Sequence, residues 1–403
     1  MSFVHAGRRV VIVVAAAAIA AAACLFAFSA TVRNHAPDRI PAFWHDPLAP
    51  MSEWGQTLAQ QPDRIPDDRT REVAVQALRA QPLNPVALRM LAIWAAGHGY
   101  LRRADRLAGL SEKVSRRDLS NQLFMIERAV SRGDVAATLA HYDMALRTSP
   151  NSKQLLFPIL SAAIADPTIR QDLVPYVRHG APWIGGFLFN ALDMPGGASS
   201  AAELLLASGR KNNVALLIDL APGLLTHLVG SGDFPLAERL FLALPKADAA
   251  MLADPSFTMR TTDPVYGPFG WRAIESADAS IAFEPAEGGR RRLYVSARLG
   301  AVGDQILLQR TLHLPPGNYL FVQQPEAKTG ENSITWRVTC LKAGDSSAPI
   351  WTSGNDSPLR IVPTCGWQRL ELLVGSDRSD AVDARIDRIG FARADSLLPQ
   401  AQP

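Results

Sequence analysis

Near Pro255 the spacing of apolar residues changes, and that change limits the fold more than any motif does. From Asp67 to about Leu252 apolar side chains recur every three or four positions in an Ala- and Leu-rich context, the repeat of one helix face. Beyond Pro255 they alternate. Leu293, Val295, Ala297 and Leu299 share one parity and Tyr294, Ser296 and Arg298 the other; Ile334, Trp336, Val338 and Cys340 repeat the pattern, as do Leu370, Leu372 and Val374. Period two is the repeat of a strand with one buried face. Neither pattern can bury its apolar side in the other conformation, so an all-α part precedes an all-β part. The 403 residues suffice for two or three domains. With 48% hydrophobic residues against 20% charged, wholesale disorder is excluded.

Ahead of both parts, Val10 to Val32 gives 23 uncharged residues between Arg9 and Arg33. A bilayer core of about 30 Å is crossed by roughly 20 residues at 1.5 Å each, so this run suffices to span. Arg8 and Arg9 favour a cytoplasmic tail, although Arg33 and Arg39 reduce the charge asymmetry. A cleaved signal peptide ending at Ala27-Phe28-Ser29 is the rival reading. The apolar region exceeds the roughly 7–15 residues usual for such peptides, which favours a retained anchor. Both readings export everything after residue 33. Six prolines follow in residues 33–66, too many for a helix or central strand, and predict an extended spacer. Phe43, Trp44 and Trp54 interrupt it and are expected to dock on the next domain.

Within the helical part Gly99 and Gly133 lie 34 residues apart, each where a helix–turn–helix break is expected. In the same frame Ala77, Ser111 and Ala145 fall one period apart, small enough for helices to approach closely. Tyr142, Ala145 and Pro150 close one copy; Gly232-Asp233, Ala237 and Phe241 begin another. These positions resemble the tetratricopeptide repeat. No tryptophan occupies the first-helix position, where Leu88 and Gln122 stand, and residues 153–186 keep almost none of the pattern. The resemblance implies a degenerate α-solenoid, a fold whose long surfaces bind proteins or peptides.

About eight strands are expected between residues 279 and 393, with Leu312 to Phe321 reading as strand, turn, strand. Gln309, the Pro316-Gly317-Asn318-Tyr319 turn and the closing Ile386-Asp387-Arg388-Ile389 resemble jelly-roll, carbohydrate-binding-module-like domains. With the anchor, the repeats and Pro268-Phe269-Gly270-Trp271, the whole is similar to envelope proteins of bacterial exopolysaccharide loci. The resemblance implies a periplasmic role in polysaccharide assembly or export.

Signals for chemistry are sparse. The net charge of +3, from 41 basic and 38 acidic residues, argues against a nucleic-acid partner. No two histidines fall within five residues, so helical zinc pairs and metalloprotease motifs are absent. Nucleophile elbow, phosphate loop and dinucleotide fingerprint are missing as well, and no catalytic residue, metal ligand or cofactor is assigned. Asp377, Asp380, Asp383 and Asp387 do not follow a calcium-loop spacing. Cys340 and Cys365, the only cysteines beyond the apolar run, are expected to form a disulfide in an oxidising compartment. Sugar rings stack on aromatic planes, which makes Tyr294, Arg298, Trp351, Trp367 and Arg369 the candidates for glycan binding. A cover for the solenoid is the alternative role for these side chains.

The expected chain is therefore multidomain. A tail and transmembrane anchor occupy residues 1–32 and a Pro-rich spacer 33–66. A tetratricopeptide-like α-solenoid covers 67–252, a jelly-roll-like β-sandwich 260–394 and a disordered tail 395–403. The expected function is a single-pass, inner-membrane scaffold facing the periplasm. Its partners would be envelope or polysaccharide-assembly proteins through the solenoid, a glycan through the sandwich, and the membrane through residues 10–32. The alternatives are a glycan-active enzyme with a binding module and a generic protein-interaction factor.

Overall fold

The computed structural model describes residues 18–32, 36, 39, 46, 48, 51, 54, 65–209, 213–286, 288, 290–298, 304–325, 334–342, 348–354, 357–375 and 381–394. Residues 10–17 of the apolar run, most of the spacer, Asp377, Asp380 and the tail lie outside them. Two compact units are present, Met1–Leu156 and Phe157–Pro403. Helices make up the first; the second holds helices followed by antiparallel sheets.

In the first unit α1 (Ala18–Val32) is apolar and leaves Ile19, Phe26 and Phe28 exposed. After it come α2 (Asp68–Ala80), α3 (Pro85–Gly97), α4 (Leu101–Val114), α5 (Leu119–Val130) and α6 (Val135–Thr148). Asp67, Asn84, Asp118 and Asp134 cap α2, α3, α5 and α6, each accepting a backbone N–H of the first turn. The 34-residue period is structural. Gly99 and Gly133 have φ of 79° and 68°, where a side chain would be strained. At both turns the next residue's N–H reaches back five positions, Tyr100 to Ala95 and Asp134 to Ala129, a helix-ending pattern that answers otherwise orphaned carbonyls. Ala77, Ser111 and Ala145 are all fully buried, and the Ser111 hydroxyl donates to the Pro85 carbonyl. Trp54 packs with Met51, Ala74 and Ala77, the docking expected of it; Phe43 and Trp44 lie outside the described residues.

The boundary between the units falls within α7 (Ser152–Ala163), not at the change of period. The second unit continues with α8 (Pro167–Arg178), α9 (Ile184–Ala191), α10 (Gly197–Ser208), α11 (Val214–Ser231) and α12 (Phe234–Ala243). By length and composition α11 could cross a membrane. Its buried residues, Leu217, Leu220, Ala221, Leu224, Leu225 and Leu228, recur every three or four positions, the stripe of a helix facing a core. It packs on α12 and on the 3-10 turn Pro264–Phe269. In that turn Gly267 (φ 53°) comes so near α11 that a Cβ would stand 3.1 Å from the Pro222 carbonyl oxygen.

Eleven strands are named among the described residues: β1 (Arg272–Ala273), β2 (Ala279–Pro285), β3 (Arg291–Ala297), β4 (Gln305–Leu312), β5 (Gly317–Gln324), β6 (Ile334–Leu341), β7 (Pro349–Thr352), β8 (Leu359–Ile361), β9 (Trp367–Val374), β10 (Val382–Ile386) and β11 (Arg388–Arg393). One sheet has the order β1-β4-β9-β6-β7. The others, β10-β3-β2 and β11-β5-β8, are linked by the short step between β10 and β11. The closing strand anticipated as continuous thus breaks at Asp387, whose N–H donates to the Gln324 carbonyl and whose carboxylate pairs with Arg292. The alternation holds: Leu293, Val295, Ala297, Trp336, Val338, Cys340, Leu370, Leu372 and Val374 share one core with Leu359, Ile361, Ile386 and Ile389. Cys340 and Cys365 are disulfide-bonded with Cα atoms 5.5 Å apart, which staples β6 to the turn before β9.

Between α12 and β1 the chain runs as an irregular strap, residues 244–271, whose carbonyls lack a ladder. Arg310 of β4 answers three of them. Only 1% exposed, it donates from Nε to Phe269 (2.8 Å), from Nη1 to Asp254 (2.7 Å) and from Nη2 to Met251 (2.6 Å). Its guanidinium lies 5.7 Å from the Trp271 ring. Burial lowers its pKa to about 10, so it stays charged at neutral pH.

Arg310→Met leaves three buried carbonyls without donors, and a loss on the order of 3 kcal/mol is expected in urea unfolding followed by tryptophan fluorescence. Arg310→Lys, with a single ammonium in place of the fork, should fall between the two. Replacing both Cys340 and Cys365 by serine should cost about 3 kcal/mol for a loop of this size. Alkylation of denatured but unreduced protein should label Cys24 alone; labelling of all three cysteines would contradict the bridge.

Candidate functional site

On the face of the five-stranded sheet turned away from the core, two polar rows lie between the buried Leu373 and Trp367 of β9. In antiparallel pairs, directly opposed residues point to the same side, and the register sets one row across all five strands. Arg272 of β1 opposes Gln309 of β4, Gln309 opposes Glu371 of β9, Glu371 opposes Arg337 of β6, and Arg337 opposes Thr352 of β7. At about 4.8 Å per strand the row spans about 19 Å. A second row beside it holds Thr311, Arg369 and Thr339.

Glu371 anchors the first row. Its side chain is 4% exposed, and Oε2 accepts from Arg337 Nε at 2.8 Å and Nη2 at 2.7 Å. A buried carboxylate is stable only with such a partner, so this pair fixes the middle of the row. Around it Gln309, Arg369 and Thr352 are half-buried and Arg272 is exposed. Thr311 and Thr339 are buried, so the donors and acceptors open to a ligand hydroxyl or carboxylate are those of Arg272, Gln309, Arg369 and Thr352. Glu371 is the one carboxylate in these rows, so the carboxyl pair of a glycosidase is not assembled there.

One end of the face is closed by aromatic packing. Trp367 of β9 is 8% exposed, with Phe234 of α12 stacked at 5.4 Å and 11°, and His313 at 4.4 Å and 25°. Phe269 adds a tilted ring at 5.4 Å and meets Phe241 edge-on at 5.2 Å. This aromatic cluster joins helices and sheets of the second unit, which is why the change of period is not a boundary between compact parts.

The five candidate residues are not brought together. Trp351, 9% exposed, packs against Phe321 and Phe391 in the core, with its indole N–H donating to the Ser357 carbonyl. Trp351 and Trp367 both spend their ring faces on packing, and neither offers a plane to a sugar. Tyr294 belongs to the other layer and lies under the Arg385 guanidinium at 5.2 Å. Arg298, at the end of β3, is exposed. Arg369 lies in the polar rows, two residues along β9 from Trp367 at the closed end of the same face. Arg272, Arg337 and Thr352 escaped sequence reasoning because their neighbourhood depends on strand pairings between residues 15 to 37 positions apart. The one usable signal was the parity that Arg369 shares with Glu371.

Elsewhere in the second unit a cleft of about 750 Å³ is lined by Arg170, Gln171, Arg178, Glu203 and Arg239. Arg170 and Arg178 are largely committed, the first to Glu203 and the Ile164 and Ala165 carbonyls, the second to the Ser208 and Ala207 carbonyls. Among the described residues no group of three or more His, Cys, Asp or Glu could hold a metal ion. Asp383 is exposed and Asp387 is paired with Arg292.

No protein-family model and no curated protein sequence matches the chain.

Arg337→Leu strands the Glu371 carboxylate, and a loss of about 2 to 3 kcal/mol is expected in urea unfolding. Adding Glu371→Leu should restore most of it, since removing both charges removes the desolvation cost.

Proposed function

We propose that the protein is a membrane-anchored periplasmic scaffold of envelope polysaccharide assembly or export that holds a glycan on the polar face of its sandwich. The observation that carries this reading is the row Arg272, Gln309, Glu371, Arg337 and Thr352 on one side of a five-stranded sheet. A polymer with many hydroxyls suits such a row, because amide, guanidinium and carboxylate groups can each bond vicinal hydroxyls. The exposed apolar side chains of α1, with the uncharged run of residues 10–32, support an anchor. The helix pairs whose glycine turns recur at 34 residues support a tetratricopeptide-like array that gathers partner proteins, and the layered sheets support a jelly-roll-like sandwich.

Affinity electrophoresis of the purified full chain through gels containing the polysaccharide of its own cell should retard it, and Gln309→Ala should restore much of the mobility. Deleting the coding sequence should lower exported polymer without changing its chain length. Unretarded migration would contradict the glycan assignment, and shortening of the polymer by pure protein would shift the reading to an enzyme.

A further inference from the structure

The charges on the polar face are unequal, and the inequality bears on what kind of glycan fits. Three guanidiniums, Arg272, Arg337 and Arg369, share the two rows with one carboxylate, Glu371. That carboxylate is used by Arg337, which leaves two cations. Among the described residues neither Arg272 nor Arg369 has an ion-pair partner. Arg369 is half-buried between Thr311 and Thr339, whose hydroxyls do not neutralise it. A half-buried cation without a counter-charge carries a desolvation cost that a ligand anion offsets. The planar fork of arginine matches a carboxylate through two parallel hydrogen bonds.

The geometry adds a spacing. Arg272 and Arg369 stand two strands and two residues apart, which places their Cα atoms on the order of 12 Å from each other. Two anionic groups on different units of one polymer suit that separation better than one compact anion does. Gln309, between β1 and β9, is placed for the hydroxyls of the intervening units.

We propose that the face selects an acidic glycan, a polymer whose sugar units carry carboxylates, with Arg272 and Arg369 as the two anion contacts and Gln309 between them. The proposal rests on the glycan-binding reading above and narrows it to charge. It also implies binding that weakens as salt screens the exposed Arg272.

The test compares four probes by calorimetric titration against the full chain in detergent: polygalacturonate, its methyl ester, neutral dextran and polyglutamate. Polygalacturonate should bind at least about tenfold more tightly than its methyl ester, which keeps the sugar and removes the charge. Arg272→Ala and Arg369→Ala should each weaken that binding about tenfold, one charge-assisted contact being worth about that factor. Arg369→Lys should recover part of the loss, and thermal unfolding confirms that each variant is folded. Equal binding of polygalacturonate and its ester would overturn the charge selection and leave the glycan reading intact. Binding of polyglutamate as tight as that of polygalacturonate would overturn both, as would failure of every probe.

Discussion

A guanidinium inside a protein has five N–H groups to satisfy, and an irregular backbone segment has carbonyls without a ladder. Arg310 answers both at once, with one bond from each of its three guanidinium nitrogens. The strap between α12 and β1 crosses the second unit with only two short 3-10 turns, and the carbonyls of Met251, Asp254 and Phe269 converge on one side chain of β4. Were that side chain apolar, the strap would bury polar groups at a cost of about 1 to 3 kcal/mol each. With the strap held, Phe269 reaches Trp367 and Phe241, and Trp271 reaches Phe257 and Trp336. Helices and sheets then share one unit because the segment between them is fastened to a strand.

The five-stranded sheet carries different chemistry on its two sides. Leu308, Leu370, Leu372, Val338 and Trp336 fill the core, while their immediate neighbours along the same strands form the rows around Glu371. Strand geometry makes this possible: successive side chains alternate, so one strand can meet the core and water at once. The Glu371–Arg337 pair answers a buried carboxylate on the outer side and at the same time orients the longer Arg337 side chain. The disulfide sits close by. Cys340 opposes Gln368, three residues from Glu371 on the strand that pairs with β6, so oxidation and the polar row are built on the same two strands.

Much of the architecture was legible in the chain. Local signals carried the helices, namely apolar spacings of three and four and the glycines at 99 and 133, whose demands are settled within five residues. Parity identified the core of the strands, and the two cysteines beyond the apolar run are the pair found bonded. Long-range register was not legible. Nothing near Arg272 announces that it will lie beside Gln309, because that neighbourhood exists only once β1 has joined β4. Trp351 and Trp367 show the same difficulty from the other side. Their types and positions suited a ligand, but Phe234, Phe269, Phe321 and Phe391 arrive from distant parts of the chain to cover them. The division of the chain was obscured for a related reason, since a change of period marks a change of secondary structure and not the limit of a packed unit.

The strap also determines where the chain can be cut. A piece beginning at the first strand would keep Arg310 and Trp367 and lose Met251, Asp254, Phe269 and Phe234. It would leave a buried cation facing missing acceptors and a bare indole on the sheet. Recombinant work on the sheets is therefore better served by a boundary far upstream, near Phe157, where the second compact unit begins. In this protein the compact unit that holds the sheets also holds helices.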